Sequence, residues 1–451
     1  MTNARLAAAR VLMNLERGRT TLAAETERAR QPLADARDRA LLLELVAGTL
    51  RWQRALDVVV AAAARRAVTG LDAPVRAVLR LGAYQLLHLQ RIPPHAVVHE
   101  SVEVVRAAGQ PKAAGLVNAV LRTIARDHTR DRLPQRPAAD AGRQAQLAYL
   151  ETTLSHPGWL VARWLDRYGF DATERWCLFN NAAPEITVRS RTGETPDALL
   201  AALAQSGVDA TAAPFAPGAI KLPAGSFGRL PFRLRARLLI QDEGSQLVAW
   251  TVQTAPGARV LDVCAAPGGK TVLLANAMSG RGMLVAGDRR GSRLRLLAGT
   301  IARTKTCASV VALDATRPLP FRAMFDRVLL DAPCTGVGTL RRDPDLKWAR
   351  RPDDLVVYAR AQLEMLRHAA DVVAPDGALV YATCSSEPDE NIAVVDAFLA
   401  ADPRFALEPA LPSGFPSASD LLDTRGCLVT TPFQHGLDAF FAARLVRRRA
   451  A

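Results

Sequence analysis

The sequence predicts a multidomain chain: an all-α bundle, then a small α+β module, then an α/β domain on a doubly wound, mostly parallel sheet. Three observations predict it. Residues 1–132 carry apolar positions at helical spacing with few turn signals, residues 151–238 mix short strand and helix patterns, and from about residue 240 buried strands alternate with helices. At 451 residues there is length for two to four domains, at roughly 100–200 residues each. With 49% hydrophobic and 23% charged residues the composition is globular, which excludes collagen-like, disordered and low-complexity chains.

In the bundle, Leu41, Leu45 and Val46 mark one apolar face, and Val75, Val78, Leu79 and Leu86 another. Turn signals are confined to Gln31-Pro32, Gly70-Leu71-Asp72, Ile92-Pro93-Pro94 and Gly109-Gln110-Pro111, so the connections are short. Residues 133–150, with Pro134, Pro137 and Gly142 and little periodicity, read as a linker. In the module, Ser155 is placed to cap a helix opening at His156-Pro157-Gly158-Trp159, with proline in the first turn where its missing N–H costs nothing. Residues 186–189 are β-like, 197–205 helical, and two short strand candidates lie between 210 and 222. A β-α-β order within about 80 residues suits a ferredoxin-like module over 151–238.

The α/β domain, 239–451, carries strand patterns at 260–263, 283–287, 310–313, 327–330 and 378–382, with helices at 271–278, 292–301 and about 354–373. Strands buried on both faces predict a Rossmann-like parallel sheet, and a late strand at 439–446 is expected in an antiparallel edge hairpin.

No apolar run approaches the ~20 residues of a membrane span. Residues 58–64 are stopped by Arg65 and Arg66, and Arg5, Arg10 and Glu16 interrupt the N-terminus before a secretory apolar region forms. A cytoplasmic chain with no membrane partner is expected. The charge is 58 Lys+Arg against 44 Asp+Glu, a net +14, and residues 1–132 contribute 21 basic less 12 acidic, or +9. Such an excess favours a polyanionic partner, most simply nucleic acid, although an arginine-rich surface from a GC-rich genome gives the same balance. The six cysteines, Cys177, Cys264, Cys307, Cys334, Cys384 and Cys427, form no C-x-x-C pair and no histidines cluster near them. Neither a metal site nor a disulfide framework is expected.

Ligands bind such a sheet at the carboxyl ends of its strands. After the first strand comes Asp262-Val263 and then Cys264, Ala265, Ala266, Pro267, Gly268, Gly269, Lys270 and Thr271, small residues that let backbone approach a ligand as the next helix begins. A phosphate-cradling loop needs G-x-x-x-x-G-K-[ST]; Gly269-Lys270-Thr271 fits, but Cys264 stands where the first glycine belongs. A G-x-G-x-x-G fingerprint is absent too. A nucleoside ligand without a pyrophosphate remains, such as S-adenosyl-L-methionine. Asp288, 19 residues after Gly269, is placed to accept ribose hydroxyls, and the next two strands end in Asp314 and Asp331. One such aspartate is as readily a helix cap; three in register favour the cofactor. The fourth strand runs into Asp331-Ala-Pro-Cys334-Thr-Gly and the fifth into Thr383-Cys384-Ser385, so both cysteines are expected to face one crevice. Cys264 is expected to pack in its loop, and Cys177, Cys307 and Cys427 to be core residues.

At these residues a resemblance becomes specific. Cys264-Ala-Ala-Pro-Gly-Gly-Lys270, Asp331-Ala-Pro-Cys334-Thr-Gly, Thr383-Cys384-Ser385, Gln241-Asp242-Glu243-Gly244-Ser245 and Arg342-Asp-Pro344-Asp345-Leu-Lys347-Trp348 are similar to the RNA cytosine-C5 methyltransferases of the NOL1/NOP2/Sun family. Arg51-Trp52, the stretch Arg80-Leu-Gly-Ala-Tyr84-Gln85 and the stretch from Ala113 to Arg122 resemble the NusB-like bundle, in which an arginine-rich face meets RNA; a helical docking domain is the alternative. With that front domain, the arrangement resembles the bacterial members acting on small-subunit ribosomal RNA.

The resemblance implies S-adenosyl-L-methionine held by residues 264–270, Asp288, Asp314 and Asp331, with 16S ribosomal RNA as partner and a monomer as the active form. It assigns the nucleophile to Cys384 and product release to Cys334, while Asp331 stabilises the protonated base. Spacing alone leaves the two cysteine roles open to exchange. Lys270 either orients cofactor or substrate or covers the helix start. Cytosine C5 is too weak a nucleophile to take a methyl group unaided, so a thiolate added at C6 supplies the electron density, and the base must leave its stack. Transfer RNA is the alternative substrate. A non-enzymatic RNA-binding or antitermination factor with a degenerate core, and a P-loop NTPase, are the alternatives in other classes.

Overall fold

The computed structural model describes residues 4–449 except 19, 128, 139, 192 and 323. The chain divides into two compact units, Met1–Ala183 with Leu340–Arg350, and Pro184–Thr339 with Arg351–Ala451.

The first unit is helical: Ala4–Glu16, Leu22–Arg30, Ala36–Arg51, Gln53–Ala64, Ala73–His88, Pro94–Ala107 and Ala114–Arg126 form the bundle. Two of its helices start where a short polar side chain takes up a free N–H group, Thr21 accepting from Ala24 N and Asp35 from Arg37 N. Leu42, Leu45, Val46, Leu56, Val78, Leu79, Val105 and Leu121 are fully buried in its core, each adding about 1.5–3 kcal/mol of burial. Gly48 is fixed by packing, since a Cβ there would lie 2.0 Å from the Tyr84 ring, whose hydroxyl donates to Glu44.

Several expectations are corrected here. Within the stretch read as a linker, Arg143–Ala148 is helical. Ser155 is no helix cap: it sits at φ +58°, its Oγ accepts from Arg54 N at 2.9 Å, and the helix Gly158–Asn181 follows Pro157 without a side-chain cap. Two arginines that carry the NusB resemblance point inward. Arg51 is buried and donates to Arg341 O, while Arg80 makes a two-pronged pair with Asp57 at 2.7 and 2.8 Å. The segment Leu340–Arg350 belongs to this unit. Its Lys347 is fully buried and donates to Arg51 O, Ser155 O and Asn181 Oδ1 at 3.2, 3.3 and 2.6 Å.

The second unit holds two sheets. Strands β1 (Ile186–Ser190), β2 (Thr211–Ala212), β3 (Ile220–Leu222) and β4 (Leu238–Ile240) form an antiparallel sheet ordered β2-β3-β1-β4. Against it packs the helix Pro196–Gln205, whose Leu199 and Leu203, one turn apart, close a small core with Val188, Ile220 and Leu238. The larger sheet comprises β5 (Arg259–Asp262), β6 (Met283–Asp288), β7 (Ser309–Ala312), β8 (Phe325–Asp331), β9 (Val373–Thr383), β10 (Phe405–Glu408), β11 (Leu428–Val429) and β12 (Phe441–Arg447). Its order is β10-β12-β9-β8-β5-β6-β7, with β11 paired to β12. The strands β5 to β9 run parallel, and β12 runs antiparallel to both neighbours. The late strand thus lies in an antiparallel pair at the end of the sheet, as expected, with β10 as its outer member. The short β10, unseen in the sequence, takes the edge because β12 is fully buried over Phe441–Leu445 and needs a partner on each side. Strand order reverses between β5 and β8, so the crevice of the sheet opens at their carboxyl ends. Cys307, expected in the core, is exposed, while Cys177 and Cys427 are buried.

Among the described residues no helix is long and apolar enough to cross a membrane, and no cluster of three or more His, Cys, Asp or Glu has the arrangement to hold a metal ion.

Candidate active site

The register of the sheet sets the site. Asp262 pairs with Ala286 of β6 and Leu329 of β8, and Asp331 pairs with Ala382 of β9. Asp262, Asp288 and Asp331 thus end three strands at one rim. The third strand-end aspartate expected from sequence is displaced: β7 ends at Ala312, and Asp314 lies two residues beyond. Its Oδ1 accepts from Thr316 N and Thr316 Oγ1 at 3.1 and 2.7 Å, bonds that pull its pKa below the usual value.

The loop after β5 is shaped by backbone. Gly268 stands at φ +106°, where an L side chain is strained, and caps the helix Gly269–Met278; an added Cβ would come within 3.0 Å of Leu297. Ala265 N donates to Gly287 O at 2.7 Å, tying the loop to β6. The Ala266-Pro267 peptide is cis. Arg189 braces the loop from β1: its guanidinium, with a pKa lowered by burial to about 10, donates to Gly269 O at 3.0 Å and to Gln241 Oε1 at 2.9 Å. The Gln241–Ser245 motif has a further structural use, as buried Glu243 accepts from Phe215 N and Ala216 N at 2.7 and 3.0 Å.

Asp288 accepts from Arg293 Nε at 3.0 Å, and the same guanidinium donates to Ala266 O at 2.6 Å. Arg293 therefore ties the strand-end carboxylate to the loop, a link that sequence reasoning missed. It also missed Asp262. This carboxylate is buried, its Oδ2 accepts from Thr271 Oγ1 at 2.7 Å, and its Oδ1 has no partner among the described residues. Burial, aided by Asp331 and Asp288, pushes its pKa up to about 7. The signal for it was present, because Asp262 ends its strand just as Asp288 and Asp331 do. Cys264 packs beside the core and burial raises its pKa far above the thiol range, so it stays a thiol.

Across the crevice, Lys270 Nζ lies 2.6 Å from Asp331 Oδ2. Burial lowers the pKa of the ammonium, but the Asp331 carboxylate outweighs it, and Cys384 and Asp262 add to the upward shift. Cys334, past β8, and Cys384, past β9, place their sulfurs 3.3 Å apart. A hydrogen bond to Cys384 and burial raise the Cys334 pKa well above the usual thiol value, so Cys334 stays a thiol. Gly338 makes the approach possible: its N–H donates to Cys384 O at 3.0 Å, and a Cβ there would sit 2.3 Å from Ala439 O.

The structure thus brings Lys270, Asp331, Cys334 and Cys384 together, sets Asp288 beside the 264–269 loop, and ties Asp314 to its own turn. A cationic amine beside a pair of sulfurs suits chemistry through a thiolate, and a carboxylate alongside suits a polar base.

The chain is similar to known proteins over nearly its full length. The sequence profile of the 16S rRNA methyltransferase RsmB/F family matches residues 249–446, that of the NusB family residues 2–126, and that of the RsmF/B-like ferredoxin-like domain residues 156–226. Ribosomal RNA small subunit methyltransferase B of Pseudomonas putida is 36% identical over 460 residues, covering 100% of this chain and 99% of its own. Among solved structures, a methyltransferase homolog protein from Pyrococcus horikoshii superposes with a TM-score of 0.57 at 26% identity, over 68% of this chain and all of that one. NSun6 from Pyrococcus horikoshii, solved with SFG, gives a TM-score of 0.56 at 18% identity, over 67% of this chain and all of that one.

Proposed function

This chain belongs to the family of ribosomal RNA small subunit methyltransferase B, and from that premise we propose that it methylates C5 of a cytosine in 16S ribosomal RNA through a covalent bond from Cys384 to C6. The observation that carries this reading is the 3.3 Å sulfur pair beside the Lys270–Asp331 ion pair. One thiol suffices to attack; a second held against it has a use when the enzyme must also let go.

The residues present fit S-adenosyl-L-methionine. Gly268, at φ +106° and with a Cβ position pressed to 3.0 Å by Leu297, keeps the loop backbone bare, and Asp262 Oδ1 is a buried oxygen without a partner among the described residues. The carboxylates suit ribose hydroxyls and a cationic sulfur. The loop 264–270, with Asp288, Asp314 and Asp331, would hold the cofactor, which when bound supplies an electrophilic methyl group. SFG, an analogue of that cofactor, in the NSun6 crystal is consistent with this assignment.

The chain's own groups do the rest. Lys270 offsets negative charge that develops at Cys384 as it attacks, while Cys334 stays a thiol. Cys384 Sγ bonds to C6 of the flipped cytosine, and the C5=C6 electron pair moves toward C5. Asp331 stabilises the protonated N3 of the adduct. Once C5 carries the methyl group, a general base takes up the C5 proton, the C–H electron pair re-forms C5=C6 and the Cys384 thiolate is expelled, a step for which Cys334 is required.

A denaturing gel of Cys334→Ala and Cys384→Ala, expressed in cells and probed for attached RNA, tests the assignment. The expected result is a nuclease-sensitive upshift in Cys334→Ala alone. An upshift only in Cys384→Ala exchanges the two roles, and none in either removes the covalent route.

A further inference from the structure

Six residues past Cys384 stands Glu390, fully buried, with no lysine or arginine in an ion pair to it among the described residues. A lone buried carboxylate is costly unless its oxygens are satisfied. Here they are, by four donors, and the donors bracket both cysteines. Glu390 Oε2 accepts from Thr335 Oγ1 and, at 2.6 Å, from Ser385 Oγ. Thr335 follows Cys334, and Ser385 follows Cys384. Glu390 Oε1 accepts from Thr335 N at 2.9 Å and from Gln362 Nε2 at 3.0 Å. Gln362 Nε2 also donates to Pro333 O at 3.0 Å, so the residues on both sides of Cys334 are held. The neighbouring Asn391 does the same for Cys384, accepting from Thr383 Oγ1 and donating to Ser385 O at 2.9 Å.

We propose that Glu390 is a positioning residue for methyl transfer: one carboxylate, bound to the residue after each cysteine, sets the two sulfur-bearing loops at their working separation. This rests on the two-thiol reading above. The paired register of β8 and β9 ends at Asp331 and Ala382; beyond it the backbone bond from Gly338 N–H to Cys384 O ties the loops at one point, and side chains fix the rest of their spacing. A single oxygen accepting both hydroxyls fixes them together, with Thr335 Oγ1 and Ser385 Oγ 3.4 Å apart. None of these groups lies among the residues read as holding cofactor, so the clamp governs geometry at sulfur and not cofactor affinity.

The test is methyl transfer by Glu390→Gln, which keeps the volume but offers an amide where two hydroxyls donated. The expected result is a fall in kcat of about 100-fold, the scale of a 1 Å misplacement. KM for RNA and the Kd for S-adenosyl-L-methionine are expected within about twofold of wild type. Thr335→Val and Ser385→Ala, each removing one donor, are expected to lower kcat about tenfold in wild type and to add little in Glu390→Gln. These two variants also keep the proposal testable if Glu390→Gln fails to fold. A kcat within twofold of wild type in Glu390→Gln, or in both hydroxyl variants, overturns the positioning role. So do fully additive effects, or a loss of cofactor affinity equal to the loss in kcat. Cys384→Ala, run alongside, separates the two claims: if it retains methyl transfer, the two-thiol reading fails, whatever Glu390 does.

Discussion

Two lysines of this chain lie inside it, one in each unit, and their partners differ. Lys270 meets a carboxylate, Asp331, at 2.6 Å, with Cys384 and Asp262 also acting on it. Lys347 meets only neutral oxygens, two backbone carbonyls and the side chain of Asn181. Burial accordingly drives the Lys347 pKa well down, while Asp331 carries that of Lys270 upward. The contrast separates two uses of a buried cation. An ion pair beside a thiol supplies charge to chemistry; a set of neutral acceptors, one for each ammonium hydrogen, pins chain segments distant in sequence. Lys347 joins residues 51, 155 and 181 to the Leu340–Arg350 segment, and its neighbour Trp348 adds a bond from Nε1 to Leu50 O at 2.7 Å.

If that contrast is right, Lys347→Met leaves three buried acceptors unpaired and lowers the stability of the helical unit by about 3–5 kcal/mol. Urea unfolding followed by circular dichroism measures it; an unchanged midpoint would erase the distinction. Lys270→Met is expected to do the reverse, lowering kcat by about 10²–10³-fold, or about 3–4 kcal/mol of transition-state stabilisation. Its melting temperature is expected to move little, because Asp331 keeps access to water. A collapse in stability with kcat preserved would make Lys270 another structural cation.

The smallest effect concerns the carboxylate behind Lys270. Asp262 holds its proton to about pH 7 in the folded chain but only to 3.8 as a free side chain. Between those values the folded state binds the extra proton, so this group's contribution to stability declines as pH rises from about 4 to about 7. From pH 5 to 7 the decline is about 2 kcal/mol in wild type and absent in Asp262→Asn. Parallel pH profiles of melting temperature for the two proteins would place Asp262 in a wetter environment.

Most of the site's cofactor side was legible in the chain. Small residues between a strand and a helix, with aspartates at strand ends, announce a tight loop at the rim of the sheet, and the structure ties residues 264–269 to Asp288 through Arg293. Asp314 falls just beyond its strand, since β7 ends at Ala312, Leu313 N–H still donates to Asp288 O at 3.0 Å, and the Asp314 carboxylate turns back on Thr316. The sulfur side was half legible. Two cysteines past strand ends could be seen, but not the hydrogen bonds that hold them, since Glu390, Asn391 and Gln362 carry no pattern of their own.

The periodicity of apolar residues by itself determined the helical bundle, the parallel strands and the motifs at their ends, because each is a local property of spacing along one segment. Tertiary structure decided which strand took the edge, where Arg51 and Arg80 point and what each buried lysine meets. It also set the sulfurs 3.3 Å apart. Those outcomes depend on groups far apart in sequence competing for the same buried partners, and only the packed chain settles that competition.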